Sequence, residues 1–256
     1  MMKIVVTGSE GFIGKALRKK LRERGVEAVG IDRICGTEAS GIACLLAEGG
    51  FSAVIHLAAQ TSVFNDNLEQ IRKDNIDTFI RVAESCNRYG VKLVYASSST
   101  ANPCNTTSMY GMSKHFDEQY AAVYCPKATG VRLHNVYGPE PRKGTLLWTL
   151  LNSEKVMLYN KGNNLRCFTY IDDAVEGLIS ACNFNAKLVN VVNPHPCTVL
   201  HFAEIVRKYH HVDIQLVEEK RNFDNYCQTV NERLNSIPLN YISVEKGIAM
   251  VFNGQR

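Results

Sequence analysis

Tyr110 and Lys114 stand four residues apart in Tyr110-Gly111-Met112-Ser113-Lys114. On a helix that spacing puts both side chains on one face, one turn apart. An ammonium beside a phenol stabilises the phenolate, so Tyr110 could take a proton from an alcohol while hydride leaves the same carbon. Upstream, Leu93-Val94-Tyr95-Ala96 runs into Ser97-Ser98-Ser99-Thr100. Hydroxyls at the carboxyl end of a parallel strand point into the crevice where such sheets bind ligands, and one of these could hold the reacting oxygen. Near the start lies Thr7-Gly8-Ser9-Glu10-Gly11-Phe12-Ile13-Gly14. Its G-x-x-G-x-x-G spacing suits a pyrophosphate cradle. Gly8 permits the turn, Gly11 opens the backbone N–H groups to phosphate, and Gly14 lets helix and strand pack closely. Asp32 ends the next apolar run and could accept both hydroxyls of an adenosine ribose, which favours NAD over NADP. Arg33 follows at once and could instead accept a 2′-phosphate.

These residues gain meaning from the elements that must carry them. Of the 11 tyrosines only Tyr110 has a lysine four residues on, and chance alone supplies about that many pairs, so position is what counts. Lys3–Thr7 reads as a strand, Gly14–Arg24 as a helix, Glu27–Asp32 and Ala53–Ala58 as further strands. Asn75–Tyr89 is helical by the spacing of Ile76, Phe79, Ile80, Ala83 and Cys86. Lys92–Ser97 is a strand, Tyr110–Tyr124 a helix and Ala128–Leu133 a strand. That alternation argues for a parallel sheet covered on both faces. Beyond Gly138-Pro139 it becomes less regular, with helices expected over Asp173–Cys182 and Val199–His210 and a strand over Asp213–Val217.

Composition narrows the function classes. In 256 residues, 29 Lys and Arg meet 25 Asp and Glu, spread along the chain, which gives no case for nucleic acid or a membrane surface. No stretch reaches the roughly 18–20 apolar residues that span a bilayer, and Ile4–Val6 does not resemble a signal peptide. The nine cysteines include no C-x-x-C pair and read as free thiols of a cytoplasmic protein. The seven histidines show no metal spacing, so no metal is expected.

Taken in order, the motifs resemble the extended short-chain dehydrogenase/reductase family, in its NAD-dependent sugar-nucleotide epimerase and dehydratase group. They are Gly8-x-x-Gly11-Phe12-Ile13-Gly14, His56-Leu57-Ala58-Ala59, Ser97-Ser98-Ser99, Tyr110-x-x-x-Lys114, Arg132 to Pro139 and Arg166 to Asp173. The resemblance implies an α/β fold: a Rossmann-type doubly wound parallel sheet over residues 1–139. Residues 140–256 would be mostly a smaller C-terminal substrate lobe, with some segments returning to the sheet. It further implies NAD held by Gly8, Gly11, Phe12, Ile13, Gly14, Asp32, Arg33, Leu57, Ala58, Ala59, Asn75, Tyr110 and Lys114. Tyr110 would be the general base and acid, Lys114 its partner, and Ser99 the catalytic hydroxyl. Ser99, Thr100, Asn135, Arg166 and Arg221 would bind a nucleotide-diphosphate sugar. The helix carrying Tyr110 often builds a dimer interface in that family, so a homodimer is the partner to look for.

The chain also departs from the pattern. Only 21 residues separate Asp32 from Val54, and the usual segment with an adenine-facing Asp is missing. Thr100 and Ala101 stand where 4,6-dehydratases carry acids, which disfavours dehydration. The leading expectation is C4 epimerisation through a keto sugar. The alternatives are an NAD(P)H-dependent sugar-nucleotide ketoreductase and a non-catalytic NAD-binding module.

Overall fold

The computed structural model describes residues 3–102, 108–219 and 234–254. The first elements are β1 (Lys3–Thr7), α1 (Phe12–Glu23), β2 (Glu27–Ile31), α2 (Ile42–Ala47), β3 (Ala53–His56), α3 (Leu68–Ile71) and α4 (Thr78–Tyr89). Next come β4 (Lys92–Ser98), α5 (Met109–Tyr124), β5 (Ala128–Leu133), β6 (Val136–Tyr137), α6 (Leu146–Asn152), β7 (Lys155–Leu158), β8 (Leu165–Arg166) and β9 (Thr169–Tyr170). The last are α7 (Ile171–Ala181), β10 (Leu188–Val191), β11 (Cys197–Thr198), α8 (Val199–Arg207), β12 (Asp213–Leu216), β13 (Asn235–Ser236) and α9 (Val244–Asn253).

Seven strands form one parallel sheet in the order β13-β10-β5-β4-β3-β1-β2. Strands β1, β3 and β5 are buried almost throughout because both faces are covered, so alternation gives way to continuous burial. Val5, Val54, Leu93 and Tyr95 pack on Ile42, Leu46, Phe79, Val82 and Ala83 from α2 and α4. The alternate residues Ile4, Val6 and Ile55 are equally buried and point the other way, as the pleat requires. This is the expected Rossmann-type α/β sheet. From β1 the chain runs outward to β2, then returns to the other side of β1 for β3. Thr7 therefore lies level with Ile31 on one side and His56 on the other. Doubly wound sheets bind ligands outside the carboxyl ends of the strands at such a reversal.

The short stretch after Asp32 holds a turn and α2 but no strand, so β2 is the edge of the sheet. Helices α2, α6 and α9 and strands β6 to β11 and β13 add to the expected elements. The expected helix over Asn75–Tyr89 is modified: α3 widens into a π-type turn at Arg72–Asp77 before α4. That extra width turns both Asp74 and Asn75 inward, where they are buried. Strand β3 stops at His56, short of the expected Ala58, because the Ala58 N–H turns to the Thr7 hydroxyl at 3.3 Å.

The chain divides into two compact units. The first comprises Met1–Leu133, Val175–Val191 and Arg233–Ile237 and contains the whole seven-stranded sheet. The second comprises His134–Ala174, Val192–Glu232 and Pro238–Arg256. It is built on the strand pairs β6·β9, β7·β12 and β8·β11 and an aromatic cluster in which Phe168 stacks on Phe202 at 4.1 Å. Among the described residues no helix is long and apolar enough to cross a membrane, and no His, Cys, Asp or Glu group is arranged to hold a metal ion.

Candidate functional site

At the carboxyl end of β1 the glycine loop is held by backbone bonds, Gly8 N–H to the Ile31 carbonyl at 2.9 Å and Gly11 N–H to the Gly8 carbonyl at 3.1 Å. Gly8 has φ +68°, and a Cβ there would lie 2.7 Å from the Ala58 nitrogen. A Cβ on Gly14 would lie 2.1 Å from the Gly8 carbonyl oxygen, so α1 could not start so close to the loop. A Cβ on Gly11 would meet only that same oxygen, at 3.2 Å, and otherwise open space. Helix α1 starts at this open position with no side chain capping it. Its first N–H groups have no intrahelical partner, and the helix dipole favours an anion there. Asp32 anchors the other side, with one carboxylate oxygen accepting from Glu10 N–H at 3.0 Å and the other from Ile34 N–H at 3.1 Å. Leu57 continues this floor, its N–H bonded to Thr7. Ala58 does the same, and Ala59 follows it. A dinucleotide pyrophosphate and an adenosine ribose fit these residues.

Further along the same edge, three serines prove to have different employment. Ser97 donates to Glu118 at 2.5 Å, and Glu118 holds the guanidinium of Arg132 through two hydrogen bonds at 2.7 and 2.6 Å. The Ser98 hydroxyl accepts from Thr100 N–H and from the Thr100 hydroxyl. Neither the Ser99 hydroxyl nor the phenol of Tyr110 has a hydrogen-bond partner among the described residues. Helix α5 is capped by Ser108 and begins directly on the turn formed by Ser99 to Ala101. Gly111 makes that approach possible: a Cβ there would lie 2.7 Å from the Thr100 carbonyl oxygen. Gly111→Ala is expected to push α5 off the turn and lower turnover by about 10²-fold. Steady-state kinetics would show it, with the melting temperature as control.

One turn beyond Tyr110, Lys114 is buried and donates to Asp117 at 2.9 Å. Burial works against the Lys114 charge, but Asp117 and the Tyr110 oxygen more than offset it and raise the group above its ordinary value. Burial pushes Asp117 up to about 6 against the attraction of Lys114, and its second oxygen has no partner among the described residues. Across the sheet edge, His56 donates to or accepts from Thr7 at 2.7 Å. It is driven down to about 3 by burial and then by the Lys114 charge, so it stays neutral.

The remaining expected residues fall into separate places. Asn75 is engaged by protein: its amide donates to the Gln60 carbonyl and the Ser113 hydroxyl and accepts from Gln60 N–H. It thereby ties the segment after β3 to the helix of Tyr110 and Lys114. The Thr100 hydroxyl is likewise engaged, by Ser98. Arg33 is held in a two-pronged ion pair by Asp74. In the second unit, Asn135 takes φ +36° and donates to the Cys167 carbonyl at 3.2 Å, which brings it beside Arg166 in the chain. Arg166 donates to the Leu165 carbonyl at 2.8 Å and pairs across β8·β11 with Cys197. Arg221 lies outside the described residues. Sequence reasoning missed Gly111, Asp117 and Asp74. A glycine inside a helix and an acid three residues after Lys114 were the available signals for the first two; Asp74 lies before the expected helix and left none.

A model of the NAD dependent epimerase/dehydratase family matches residues 4–193. Protein CapI of Staphylococcus aureus is 28% identical over 227 residues, 69% of this chain and 68% of that protein. UDP-glucuronate 4-epimerase 4 of Arabidopsis thaliana is 29% identical over 240 residues, 72% of this chain and 54% of that longer protein. Among solved structures, the NAD dependent NDP-hexosamine 5,6-dehydratase TunA superposes with a TM-score of 0.85. It covers 100% of this chain and 99% of TunA at 23% identity, a likeness of fold.

Proposed function

The chain belongs to the NAD dependent epimerase/dehydratase family and is an NAD-dependent enzyme of the extended short-chain dehydrogenase type; from that premise we propose that it epimerises a nucleotide-diphosphate hexose at C4. The observation that carries this reading is the pairing of Ser99, the one serine of the Ser97–Ser99 run whose hydroxyl has no hydrogen-bond partner among the described residues, with a helix that begins on its turn and bears Tyr110 and Lys114. When bound, NAD would take a hydride from C4 and return it to the other face of the keto sugar, with no net consumption. Tyr110 takes the C4 hydroxyl proton and gives it back. Ser99 holds the same oxygen by a hydrogen bond, and Lys114, fixed by Asp117, keeps an ammonium near the phenol. Asn135 and Arg166, with Arg221, are the proposed diphosphate contacts, a role that suits the planar fork of arginine. The names of relatives such as UDP-glucuronate 4-epimerase 4 support a nucleotide sugar as substrate.

The TunA likeness keeps dehydration in view. Against it, Thr100 and Ala101 supply no acid beside Ser99, and the Thr100 hydroxyl is held by Ser98. The test has two steps. Purified protein is denatured and any released nucleotide identified by mass spectrometry. UDP-glucose, UDP-glucuronate and UDP-N-acetylglucosamine are then offered without added cofactor and followed by NMR. An epimer of unchanged mass is expected. A product lighter by one water would replace the reading with a dehydratase, and turnover only with added NAD(P)H would replace it with a ketoreductase.

A homodimer is the second part of the reading. Met112, Phe116, Val123 and Tyr124 of α5 are exposed apolar residues, and with Tyr120 they follow one helical stripe. Phe116 stacks on Tyr120 at 5.9 Å, which keeps that stripe flat. Phe116→Glu is expected to convert a dimer to a monomer by light scattering. A wild-type protein that is monomeric at micromolar concentration would refute this part.

A further inference from the structure

Arg33 follows Asp32 directly at the carboxyl end of β2, beside the glycine loop that Asp32 anchors. A guanidinium in that position ordinarily offers two parallel donors to a phosphate, which would suit the 2′-phosphate of NADP. Here the two-pronged edge formed by Nη1 and Nη2 is already taken, which leaves Nε–H and the outer N–H groups. Nη1 donates to one oxygen of Asp74 at 3.0 Å and Nη2 donates to the other. The Asp74 side chain is only 7% exposed, whereas that of Arg33 is 52% exposed. Asp74 is held in turn by Gln60, whose amide donates to it at 3.1 Å, and by the π-type turn that points it inward. The Arg33 hydrogen bond chiefly holds its carboxyl below its ordinary value. Asp32, Glu38 and Lys73 complete the charged groups acting on this pair.

We propose that Asp74 is a cofactor-specificity residue: by clasping Arg33 it withholds the fork that a 2′-phosphate needs, and so reinforces the exclusion of NADP begun by Asp32. A bidentate pair engages the Nη1–Nη2 edge through both carboxylate oxygens and offsets the guanidinium charge, so a phosphate arriving beside it gains that edge only by breaking the pair. Asp74 lies 42 residues from Asp32 in the chain, so no local motif connects them. This role rests on NAD binding and is independent of which sugar the protein turns over.

NADH and NADPH fluorescence titrations of the full chain test it. Asp74→Asn keeps the side-chain volume and a hydrogen bond but releases the guanidinium. NADPH is then expected to bind about 10–100-fold more tightly than to wild type, the range of a charge-assisted hydrogen bond, with NADH altered by less than about threefold. Adding Arg33→Gln should abolish the gain. If NADPH affinity does not rise in Asp74→Asn, or both cofactors weaken together, the proposal fails and Asp74 is merely structural. Should Asp74→Asn not fold, the neutral pair Arg33→Gln/Asp74→Asn decides alone. Wild-type NADPH affinity within about threefold supports a guanidinium already withheld, and a loss of about tenfold or more shows that Arg33 serves the phosphate and overturns the proposal.

Discussion

Tyr110→Phe is expected to lower turnover by about 10²–10⁴-fold, the range for removing a positioned general acid–base, while leaving NAD bound. The substitution removes one oxygen and keeps the ring, so the packing of α5 on the Ser99 turn is preserved. Lys114 stays anchored by Asp117 at 2.9 Å in either protein, which leaves the helix and its ammonium in place. The loss should therefore appear in kcat on the substrate that wild type turns over, with little change in melting temperature or in NADH titration. Ser99→Ala should produce a smaller loss, because it removes a hydrogen bond and not the proton carrier. Unchanged turnover in Tyr110→Phe would remove the phenol from the chemistry and with it the epimerase reading.

Arg132→Ala carries the largest expected cost in stability. Arg132 and Glu118 are both buried, their side chains 7% and 4% exposed, and Glu118 also accepts from Ser97. Deleting the guanidinium strands a buried carboxylate, which typically costs about 3–5 kcal/mol. For a domain of this size that corresponds to a melting temperature roughly 6–20 °C lower. Replacing both partners, Arg132→Met with Glu118→Gln, should recover much of the loss, since no uncompensated charge is left inside. A drop below about 1 kcal/mol in Arg132→Ala, measured by denaturant unfolding, would mean that water or another group satisfies Glu118 after the deletion. The pair bears on chemistry too: Ser97 is two residues before Ser99, so releasing Glu118 slackens the turn that presents the free hydroxyl.

Much of the site could be read from local pattern. The glycine loop, Asp32, the serine run and the Tyr110 to Lys114 spacing all depend on residues close in sequence, where strand and helix periodicity dictate direction. The sheet was legible for the same reason, since buried parallel strands appear as short apolar runs. Boundaries moved where long-range bonds intervened, as at Ala58, whose N–H is drawn to Thr7. The helix expected over Asn75–Tyr89 hid a π-type turn, because apolar spacing reports one face and says nothing about an extra residue in the backbone ladder.

The choice among hydroxyls and charges belonged to contacts between distant segments. Three consecutive serines are equivalent in sequence, and they differ because Glu118 takes Ser97, Thr100 takes Ser98, and neither reaches Ser99. Asn75 is a residue whose surroundings no local pattern announces: its amide ties Gln60 to Ser113. Arg33 reads in sequence as a rival to Asp32 over the cofactor phosphate, but Asp74, 41 residues away, holds its Nη1–Nη2 edge. Residue type and spacing name the groups able to do chemistry, since those depend on local geometry. Which of them stay available depends on who satisfies each buried donor and acceptor, and that pairing exists only once the chain has closed on itself.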